Sequence, residues 1–463
     1  MIYASLKVDK FVISKVNHKH NHRIADDQRV YAVNRKLDAA QMERTVSLLK
    51  LPGNTPARVA NMLQNEGAPI QKKDIYNIYY QFVKQGTSAD DSLRFIMELE
   101  DKNYHFRYSA NDPNEVNMIF LPTLKQSKEA QHMPKCIVID ATYKMNGHRM
   151  VLLNFVGTSN VYGETRNSLA SFHIAGAWMD HESAAKYKWS VQQFRLLIFN
   201  GKTELPNVFV TDNDKNLRSA LDDVLPESGK LLCYIHISRN FQKHGLSKLT
   251  SLYSTIKANN MARLKIRDLV AEIAISANTE EHFKQALKKY REYFSLGGRC
   301  TDGGVHAIQY LENMLKEKEH WVGLYANNYI HLNNRSSNRA ESTHSSQKRF
   351  IQTSSGKLDL VTKKLDYWAK ERPSLRKLKS EQESLKQSVR LISPEHEYKL
   401  GNFKGKVSKY AIDIIKQEMI ASISNNCEYS DSCLCQVKGN FSLPCRHLLA
   451  KYDIIPLNIL HRC

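Results

Sequence analysis

The sequence predicts an α/β protein in which helices cover a mixed β-sheet. Two patterns support this fold class: apolar, β-prone runs follow one another closely after residue 103, and strands then alternate with segments of helical periodicity. A third observation concerns size, because 463 residues with 42% hydrophobic and 25% charged side chains describe a globular chain too long for one simple core. We therefore expect roughly three domains.

The N-terminal part is predicted to contain a strand followed by three helices. Residues 1–35 include "YASLKVDKFVISKV", which alternates like a strand, and residues 36–102 have helical spacing in three stretches. In the second stretch, Thr55 is the expected N-cap, Pro56 the first helical residue and Gly67 the end. Three short helices joined by tight turns are typical of a helix-turn-helix DNA-binding region, and equally of an ordinary helical packing unit.

The α/β pattern occupies residues 103–245 and is followed by mostly helical sequence. The predicted strands are "NYHFRYS", "NMIFLP", "CIVID", "RMVLLNFVGTS", "LASFHIAGAW", "NVFVTD" and "KLLCYIHI". Two predicted helices, "HESAAKYKWSVQQFRLLIF" and "DKNLRSALDDVL", separate the later strands. Residues 246–335 are predicted to be helical, residues 336–372 to form two further helical segments, and residues 373–420 to form a polar linker and a helix.

The charge of the chain indicates a polyanionic partner. Sixty-seven Lys and Arg residues against 47 Asp and Glu residues give a net charge of +20, and such an excess is most often associated with nucleic acid. A basic enzyme unrelated to nucleic acid is the alternative. No apolar run reaches the roughly 18 residues needed to span a bilayer, so we expect no membrane partner.

The eight cysteines are unevenly distributed. Three are isolated, and five crowd near the C-terminus: Cys427, Cys433, Cys435, Cys445 and Cys463. This distribution differs from a secreted disulfide framework. It favours a reduced intracellular protein with one local metal site.

Two predicted strands end in an aspartate. Asp140 closes "CIVID" and Asp212 closes "NVFVTD"; each by itself is an ordinary turn former, but together they predict two carboxylates at one sheet edge. Glu341 lies near the start of a later predicted helix, with His344 one turn further on the same face. A solvated helix start is the plain alternative for that segment. Adjacent carboxylates repel each other unless cations are bound, and oxygen ligands suit Mg²⁺.

The segments that carry these acids resemble a known family. "DATYKMNG", "TDNDKNLRSALDDVLPESGKLLCYIHISRN" and "NNRSSNRAESTH" are similar to the core of Mutator-like element (MULE) transposases, which have a ribonuclease H-like DDE fold. The Cys-x-x-His signature of that family corresponds to Cys233 and His236. The resemblance extends from about residue 130 to residue 350 and is much more specific than any one motif.

The resemblance implies metal-dependent DNA strand cleavage and transfer. Asp140, Asp212 and Glu341 would hold two Mg²⁺ or Mn²⁺ ions, and the partners would be the double-stranded DNA of transposon ends and targets, in the nucleus. Residues 246–335 would be a helical insertion between two parts of the catalytic core. Self-association is left open.

The resemblance does not settle the role of the remaining site candidates. Cys233, His236 and His344 would support the active-site edge or contact DNA. For Cys233 and His236, a buried thiol and a helix-start histidine without a special role are the alternative.

The C-terminal segment 421–463 predicts a structural zinc site. "CLCQVKGNFSLPCRHLL" places Cys433 and Cys435 nine residues before Cys445 and His447, and two close pairs of thiolate and imidazole ligands suit tetrahedral Zn²⁺. The pattern resembles the SWIM-type zinc finger. Arg446 and Lys451 would add phosphate contacts or merely solvate the surface.

The N-terminal "HKHNH" is similar to the end of the WRKY/GCM-like zinc finger of plant far-red-impaired-response proteins, which are related to MULE transposases. No cysteine precedes Cys136, so we expect His20 and His22 to bind no zinc and residues 1–35 to be a remnant of that finger. The rival to a transposase is a domesticated, catalytically inactive DNA-binding transcription regulator. A zinc-dependent interaction scaffold is a third hypothesis.

Overall fold

The computed structural model describes residues 2–7, 10–16, 26–50, 54, 56–84, 95–96, 99–100, 104–112, 115–163, 168–201, 204–249, 252–352, 356–390, 398–403, 405–430, 433 and 435–460. The chain divides into two compact units, Met1–Gln85 and Gly86–Cys463. None of the described helices combines the length and the apolar character needed to cross a bilayer.

The first unit contains a β-hairpin and three helices. Its elements are β1 (Ile2–Lys7), β2 (Lys10–Val16), α1 (Ala39–Lys50), α2 (Pro56–Asn65) and α3 (Lys72–Lys84). The one strand that we predicted here is two antiparallel strands, with Lys7 opposite Lys10. Period-two alternation continues through a tight reversal, so the pattern alone does not reveal where the chain turns back.

The three predicted helices of this unit are confirmed. α2 begins at Pro56, as expected for a residue with no amide hydrogen to lose, and Gly67 follows it with φ of +89°. The helices share a small core of Leu49, Val59, Ala60, Leu63, Ile70 and Ile75. Thr55, His20 and His22 lie outside the described residues.

The second unit is built around a mixed sheet. Its strands are β3 (Arg107–Asp112), β4 (Glu115–Pro122), β5 (Cys136–Thr142), β6 (Val151–Tyr162), β7 (Leu169–Met179), β8 (Val208–Thr211) and β9 (Gly229–Leu232). Within the described residues this sheet has seven strands in the order β3-β4-β7-β6-β5-β8-β9. β5, β8 and β9 are parallel, and the remaining neighbours are antiparallel. The predicted mixed α/β sheet is therefore confirmed.

Helices cover both faces of the sheet. One face carries α4 (Leu124–His132), α5 (Ala184–Ile198) and α6 (Lys215–Val224), and the other carries α12 (Asn338–Ile351) and the start of α13 (Leu358–Arg390). Side chains of β5 divide between these layers, since Ile137 and Ile139 pack toward the first face whereas Cys136 and Val138 pack toward the second. The alternation fixes the face on which each strand-end residue lies.

Residues between β9 and α12 form a helical layer. The helices are α7 (Tyr234–Leu246), α8 (Ile256–Ala271), α9 (Glu280–Ser295), α10 (Asp302–Leu315) and α11 (Gly323–Ala326), with a π-helical turn at Glu272–Ser276. Phe241, Tyr290, Phe294 and Trp321 are buried at their centre. Because α7 starts directly after β9 and contributes to this core, the helical layer is continuous with the sheet.

The linker predicted in the first part of residues 373–420 is wrong for residues 373–390, which are helical. One helix, α13, runs without interruption to Arg390, and its polar composition reflects an exposed outer face. Pro373 lies inside this helix and cannot donate to the carbonyl oxygen of Ala369. The side-chain amide of Gln126 donates to that oxygen at 2.8 Å instead, so the missing helical hydrogen bond is replaced from α4.

The C-terminal segment packs as a small cluster of its own beside β6. Its helices are α14 (Lys409–Ser424), α15 (Gln436–Phe441) and α16 (Arg446–Leu449). Tyr162 on β6 donates a hydrogen bond to Asp413 on α14 at 2.6 Å. This contact connects the C-terminal cluster to the central sheet.

Candidate active site and metal cluster

Strand register brings Asp140 and Asp212 together. β5 and β8 are parallel, with Cys136 level with Val208 and Val138 level with Val210. If this register is extended by two residues, Asp140 comes level with Asp212. Adjacent strands in a sheet are about 4.8 Å apart. Both aspartates continue the alternation that faces α12, so their side chains lie on one face as well as at one edge.

The third predicted acid enters from the helix above that face. Glu341 lies in the first turn of α12. The helix is held over the sheet by a buried hydrogen bond from Gln347 to Asn154 at 3.0 Å, and Asn154 is the β6 partner of Asp140. Ser337, just before the helix, donates to Glu341 at 3.4 Å. The structure therefore places the three predicted acids at one end of the sheet.

The site concentrates negative charge in a poorly solvated position. Burial, followed by the charge of Asp212, raises the pKa of Asp140 to about 7, and Glu341 adds to this effect. Burial and the neighbouring Asp214 likewise raise the pKa of Asp212. Such shifts are typical of carboxylates whose like charges lack a nearby cation.

The three carboxylates are close but not tightly clustered. A tight metal cluster would have three or more ligand atoms, all within 4.8 Å of one another. Among the described residues, one group meets this condition, and it lies in the C-terminal segment. The oxygens of Asp140, Asp212 and Glu341 are therefore more widely spaced than that. A single Mg²⁺ with ligands at about 2.1 Å would not reach all three without movement.

His344 lies over Asp140 from the same helix as Glu341. Its Nδ1 is 3.9 Å from the Asp140 carboxylate, and its side chain is 9% exposed. Burial, assisted by Lys348, lowers the pKa of His344 to about 4. The imidazole is therefore neutral at pH 7, and it contributes no positive charge to offset the acids.

Cys233 directly follows β9, the third of the parallel strands, and His236 lies in the first turn of α7. Cys233 follows β9, where Leu232 is level with Thr211, and its buried sulfur accepts a hydrogen bond from the Ser337 amide at 3.2 Å. Because the thiol is buried, it cannot contact DNA directly. The thiol lies between α7 and α12. Burial is compatible with a role for Cys233 in ordering the edge of the site, and equally with the alternative of a buried thiol without a special role.

His236 interacts electrostatically with both aspartates. Its interaction with Cys233 outweighs burial and raises the pKa of His236, and the charges of Asp140 and Asp212 act in the same direction. Nδ1 of His236 has no partner at hydrogen-bond geometry within the part of the chain that the structure describes. The side-chain hydrogen bond with Cys233 is the largest cause of the raised pKa of His236.

Arg335 is a functional candidate that we did not predict. It is buried, and its guanidinium donates to the carbonyl oxygens of Ala274 at 2.9 Å and Trp321 at 2.7 Å. Ala274 belongs to the π-helical turn of the helical layer, whereas Arg335 itself is two residues before Ser337. Arg335 thus joins the helical layer to the segment that positions Glu341. The only signal in the sequence is an arginine within the Glu341 motif.

Substituting Arg335→Met should lower the free energy of unfolding by about 2–4 kcal/mol, because two buried carbonyl groups would lose their donors at about 1–3 kcal/mol each. Thermal unfolding measures this change. Arg263→Met, at an exposed position on α8, is the matched control and should stay within about 0.5 kcal/mol. Equal unfolding temperatures for the two variants would contradict the proposed connection.

Glu182 is a second candidate that the sequence did not indicate. It lies between β7 and α5, accepts hydrogen bonds from Tyr143 at 2.6 Å and Tyr187 at 2.5 Å, and contributes to the raised pKa of Asp212. No motif marks it, because its neighbours come from three separate parts of the chain. Only the folded arrangement brings it to the site.

The C-terminal cysteines and histidine form the predicted metal cluster. The sulfur atoms of Cys433 and Cys445 are 3.1 Å apart, and the Cys435 sulfur is 3.2 Å from Nδ1 of His447. All four ligand atoms lie within 4.8 Å of one another. Tetrahedral Zn²⁺ needs ligand separations of roughly 3.6–3.8 Å, so a small expansion would accommodate the ion. The donor set and spacing fit zinc.

Arg446 and Lys451 are both engaged with the protein. Arg446 forms a bidentate ion pair with the buried Glu418, with distances of 3.1 Å and 2.9 Å, which leaves little freedom for the predicted phosphate contact. Lys451 lies over the ring of Tyr429 at 4.9 Å. Arg446 therefore anchors the cluster to α14.

Comparisons with known proteins agree with the sequence resemblance. Residues 136–240 match the family described as the MULE transposase domain. The Arabidopsis thaliana protein named FAR1-RELATED SEQUENCE 2 is 19% identical over 320 residues, which cover 68% of this chain and 32% of that protein.

A second relative is named PKS-NRPS hybrid synthetase cheA, from Chaetomium globosum. It is 22% identical over 471 residues, covering 93% of this chain but 10% of that protein. The chain thus spans about a tenth of the length of the Chaetomium globosum protein and about a third of the length of the Arabidopsis thaliana protein. Residues 136–240, with Asp140, Asp212, Cys233 and His236, form a MULE transposase domain in a chain that also carries a C-terminal Cys/His cluster consistent with a SWIM-type zinc finger.

Proposed function

We propose that this protein is a DDE-type transposase with a ribonuclease H-like core, which cleaves DNA at transposon ends and joins them to target DNA. The observation that carries the proposal is that the charges of Asp212 and Glu341 both act on Asp140. The parallel register of β5 and β8, extended two residues beyond Val138 and Val210, supports it. The MULE transposase domain at residues 136–240 supports it.

The acids suit a pair of Mg²⁺ or Mn²⁺ ions. The charges of Asp212 and Glu341 both act on Asp140, and these three carboxylates would hold the ions. When bound, these ions would activate a water or a 3′-hydroxyl and neutralise charge on the phosphate. Because the three carboxylates are too widely spaced to bind one ion together without movement, we assign them to two ions.

The protein's own residues position the acids and hold them on rigid elements. Asp140 lies within β5, two residues before its end, and Asp212 directly follows β8. Glu341 is held by the hydrogen bond from α12 to β6, so we expect little reorganisation when substrate binds. Burial lowers the pKa of His344 to about 4, whereas the contact with Cys233 and the charges of Asp140 and Asp212 raise the pKa of His236. We assign these two histidines a supporting role.

DNA binding would draw on other parts of the chain. The net charge of +20 provides attraction to phosphates, and we assign the three helices of the first unit to recognition of the terminal inverted repeats. The zinc cluster would be structural. A DNA substrate of this kind would place the protein in the nucleus.

Strand cleavage with Mg²⁺ or Mn²⁺ tests the proposal directly. Wild-type protein should nick DNA that carries the element's terminal repeats, and Asp212→Asn should reduce the rate by about 100-fold or more, because a direct ligand is lost. Asp214→Asn is the matched control. Asp214 caps α6 by accepting from the amides of Asn216 and Leu217, and asparagine caps equally well, so this variant should keep most of the activity.

Other outcomes would redirect the interpretation. Equal cleavage by wild type and Asp212→Asn would rule out the catalytic assignment. Tight, salt-sensitive DNA binding by a wild-type protein that never cleaves would favour the domesticated regulator. Binding that does not respond to salt would favour the scaffold hypothesis.

A further inference from the structure

Tyr143 presents an exposed aromatic ring at the edge of the candidate active site. It is the first residue after β5, three positions beyond Asp140, and its side chain is 50% exposed. Burial, the hydrogen bond to Glu182 and then the charges of Asp212 and Asp140 raise the pKa of its phenol. Tyr143 is therefore electrostatically in reach of both aspartates while its ring remains open to solvent.

The ring is held in a fixed orientation. The Tyr143 hydroxyl donates to one oxygen of Glu182 at 2.6 Å, and the other oxygen of Glu182 accepts from Tyr187 at 2.5 Å. Tyr187 is buried on α5 and fixes the carboxylate from below. An exposed ring restrained in this way loses little rotamer freedom on binding a ligand.

The chemistry of this position selects the kind of ligand. The phenol proton is already committed to Glu182, so the hydroxyl has no further proton to donate to a phosphate. The adjacent carboxylates would repel a phosphate that is not neutralised by cations. Half of the surface of Tyr143 is open to solvent, and a planar nucleobase is the part of DNA that stacks on an aromatic ring.

We propose that Tyr143 is a stacking platform for an unpaired nucleobase next to the phosphate that is cleaved, with Glu182 as the residue that positions it. This inference rests on the proposed function, since it takes DNA as the ligand of the site. A base can reach the ring only after leaving the helical stack, so DNA that already has unpaired bases should bind better.

The test compares two fluorescein-labelled DNA duplexes of equal length in Ca²⁺, one fully paired and one with a central bulge of unpaired thymines. Tyr143→Leu should raise the Kd for bulged DNA by roughly 5- to 100-fold, the range expected for one lost stacking contact. The Kd for paired DNA should rise by less than about twofold. Tyr143→Trp, which enlarges the ring, should restore the preference for bulged DNA.

Tyr108→Leu is the matched control, because Tyr108 is 43% exposed on β3, four strands away from β5. This variant should bind both duplexes like the wild type. Equal losses for the two duplexes, or no loss in Tyr143→Leu, would overturn the platform. These binding measurements require no cleavage. A failure of the stacking proposal would therefore appear in the Kd values, whereas a failure of the proposed function would appear as a wild-type protein that does not cleave DNA.

Discussion

Replacing Asp140 with asparagine should stabilise the cation-free protein at pH 8 and at the same time reduce DNA cleavage by about 100-fold or more. The first effect follows from the pKa of Asp140, which burial and the charge of Asp212 raise to about 7. The ordinary pKa of an unfolded aspartate is about 3.9. The folded protein therefore holds the Asp140 proton more tightly than the unfolded chain does.

The sign of the pH dependence is fixed by this difference. Between about pH 4 and pH 7 the folded state binds more protons at Asp140, so the free energy of unfolding falls as pH rises through this range. Asparagine cannot ionise, and its advantage over Asp140 should be small at pH 4 and largest above pH 7. Each pKa unit corresponds to about 1.4 kcal/mol, which sets an upper bound of about 4 kcal/mol for the gain.

Thermal unfolding in EDTA at pH 4 and pH 8 measures the effect. Asp223→Asn removes an exposed acid from α6, paired only at the surface with Lys188, and should change little at either pH. If Asp140→Asn were no more stable than wild type at pH 8, Asp140 would not be held among uncompensated charges. The pairing of higher stability with lost cleavage would be the signature of a residue retained for catalysis at a cost in stability.

Replacing Cys445 with alanine should remove zinc and unfold the C-terminal cluster. Cys445 is fully buried and lies 3.1 Å from Cys433 by sulfur–sulfur distance. Burial and the neighbouring thiols raise the pKa of Cys435 to about 12 and also raise that of Cys445, an arrangement that a divalent cation would reverse by favouring thiolates. Structural zinc contributes about 10–16 kcal/mol in small zinc domains, so its loss should be decisive for this segment.

Elemental analysis and limited proteolysis read out this prediction. Wild-type protein purified under reducing conditions should contain about one zinc per chain, and Cys445→Ala should contain almost none and be cleaved rapidly after α14. Cys300→Ala, which removes an exposed cysteine from the helical layer, should match the wild type in both measurements. A zinc-free wild type with a protease-resistant C-terminus would contradict the metal assignment.

Much of the fold was predictable because its signals are local. Apolar runs of four to eight residues marked strands β5 to β9, and the cysteine spacing marked the zinc cluster. Proline at the start of α2 and glycine after it marked that helix. The errors arose where a local pattern has two meanings. Alternation in the N-terminal strand also fits a hairpin, and the polarity of residues 373–390 fits both a linker and the exposed face of α13.

The residues Asp140, Asp212 and Glu341 could be chosen from the sequence because strand ends and a motif resemblance pointed to them. Their relation in space depends on the parallel register of β5 and β8, which is set by side chains buried on both faces of the sheet. Arg335 and Glu182 have no local mark, since their partners are distant in the chain and become neighbours only on folding.

By itself, the sequence determined which elements form, which side chains could bind zinc and which acids could bind magnesium, because propensity and ligand chemistry belong to single residues and short spacings. Tertiary structure alone decided that the charges of Asp212 and Glu341 act on Asp140, that the Cys233 thiol is buried and that the Tyr143 hydroxyl donates to Glu182. The physical reason is that burial, electrostatic coupling and hydrogen-bond partnership depend on packing between segments that local sequence does not relate.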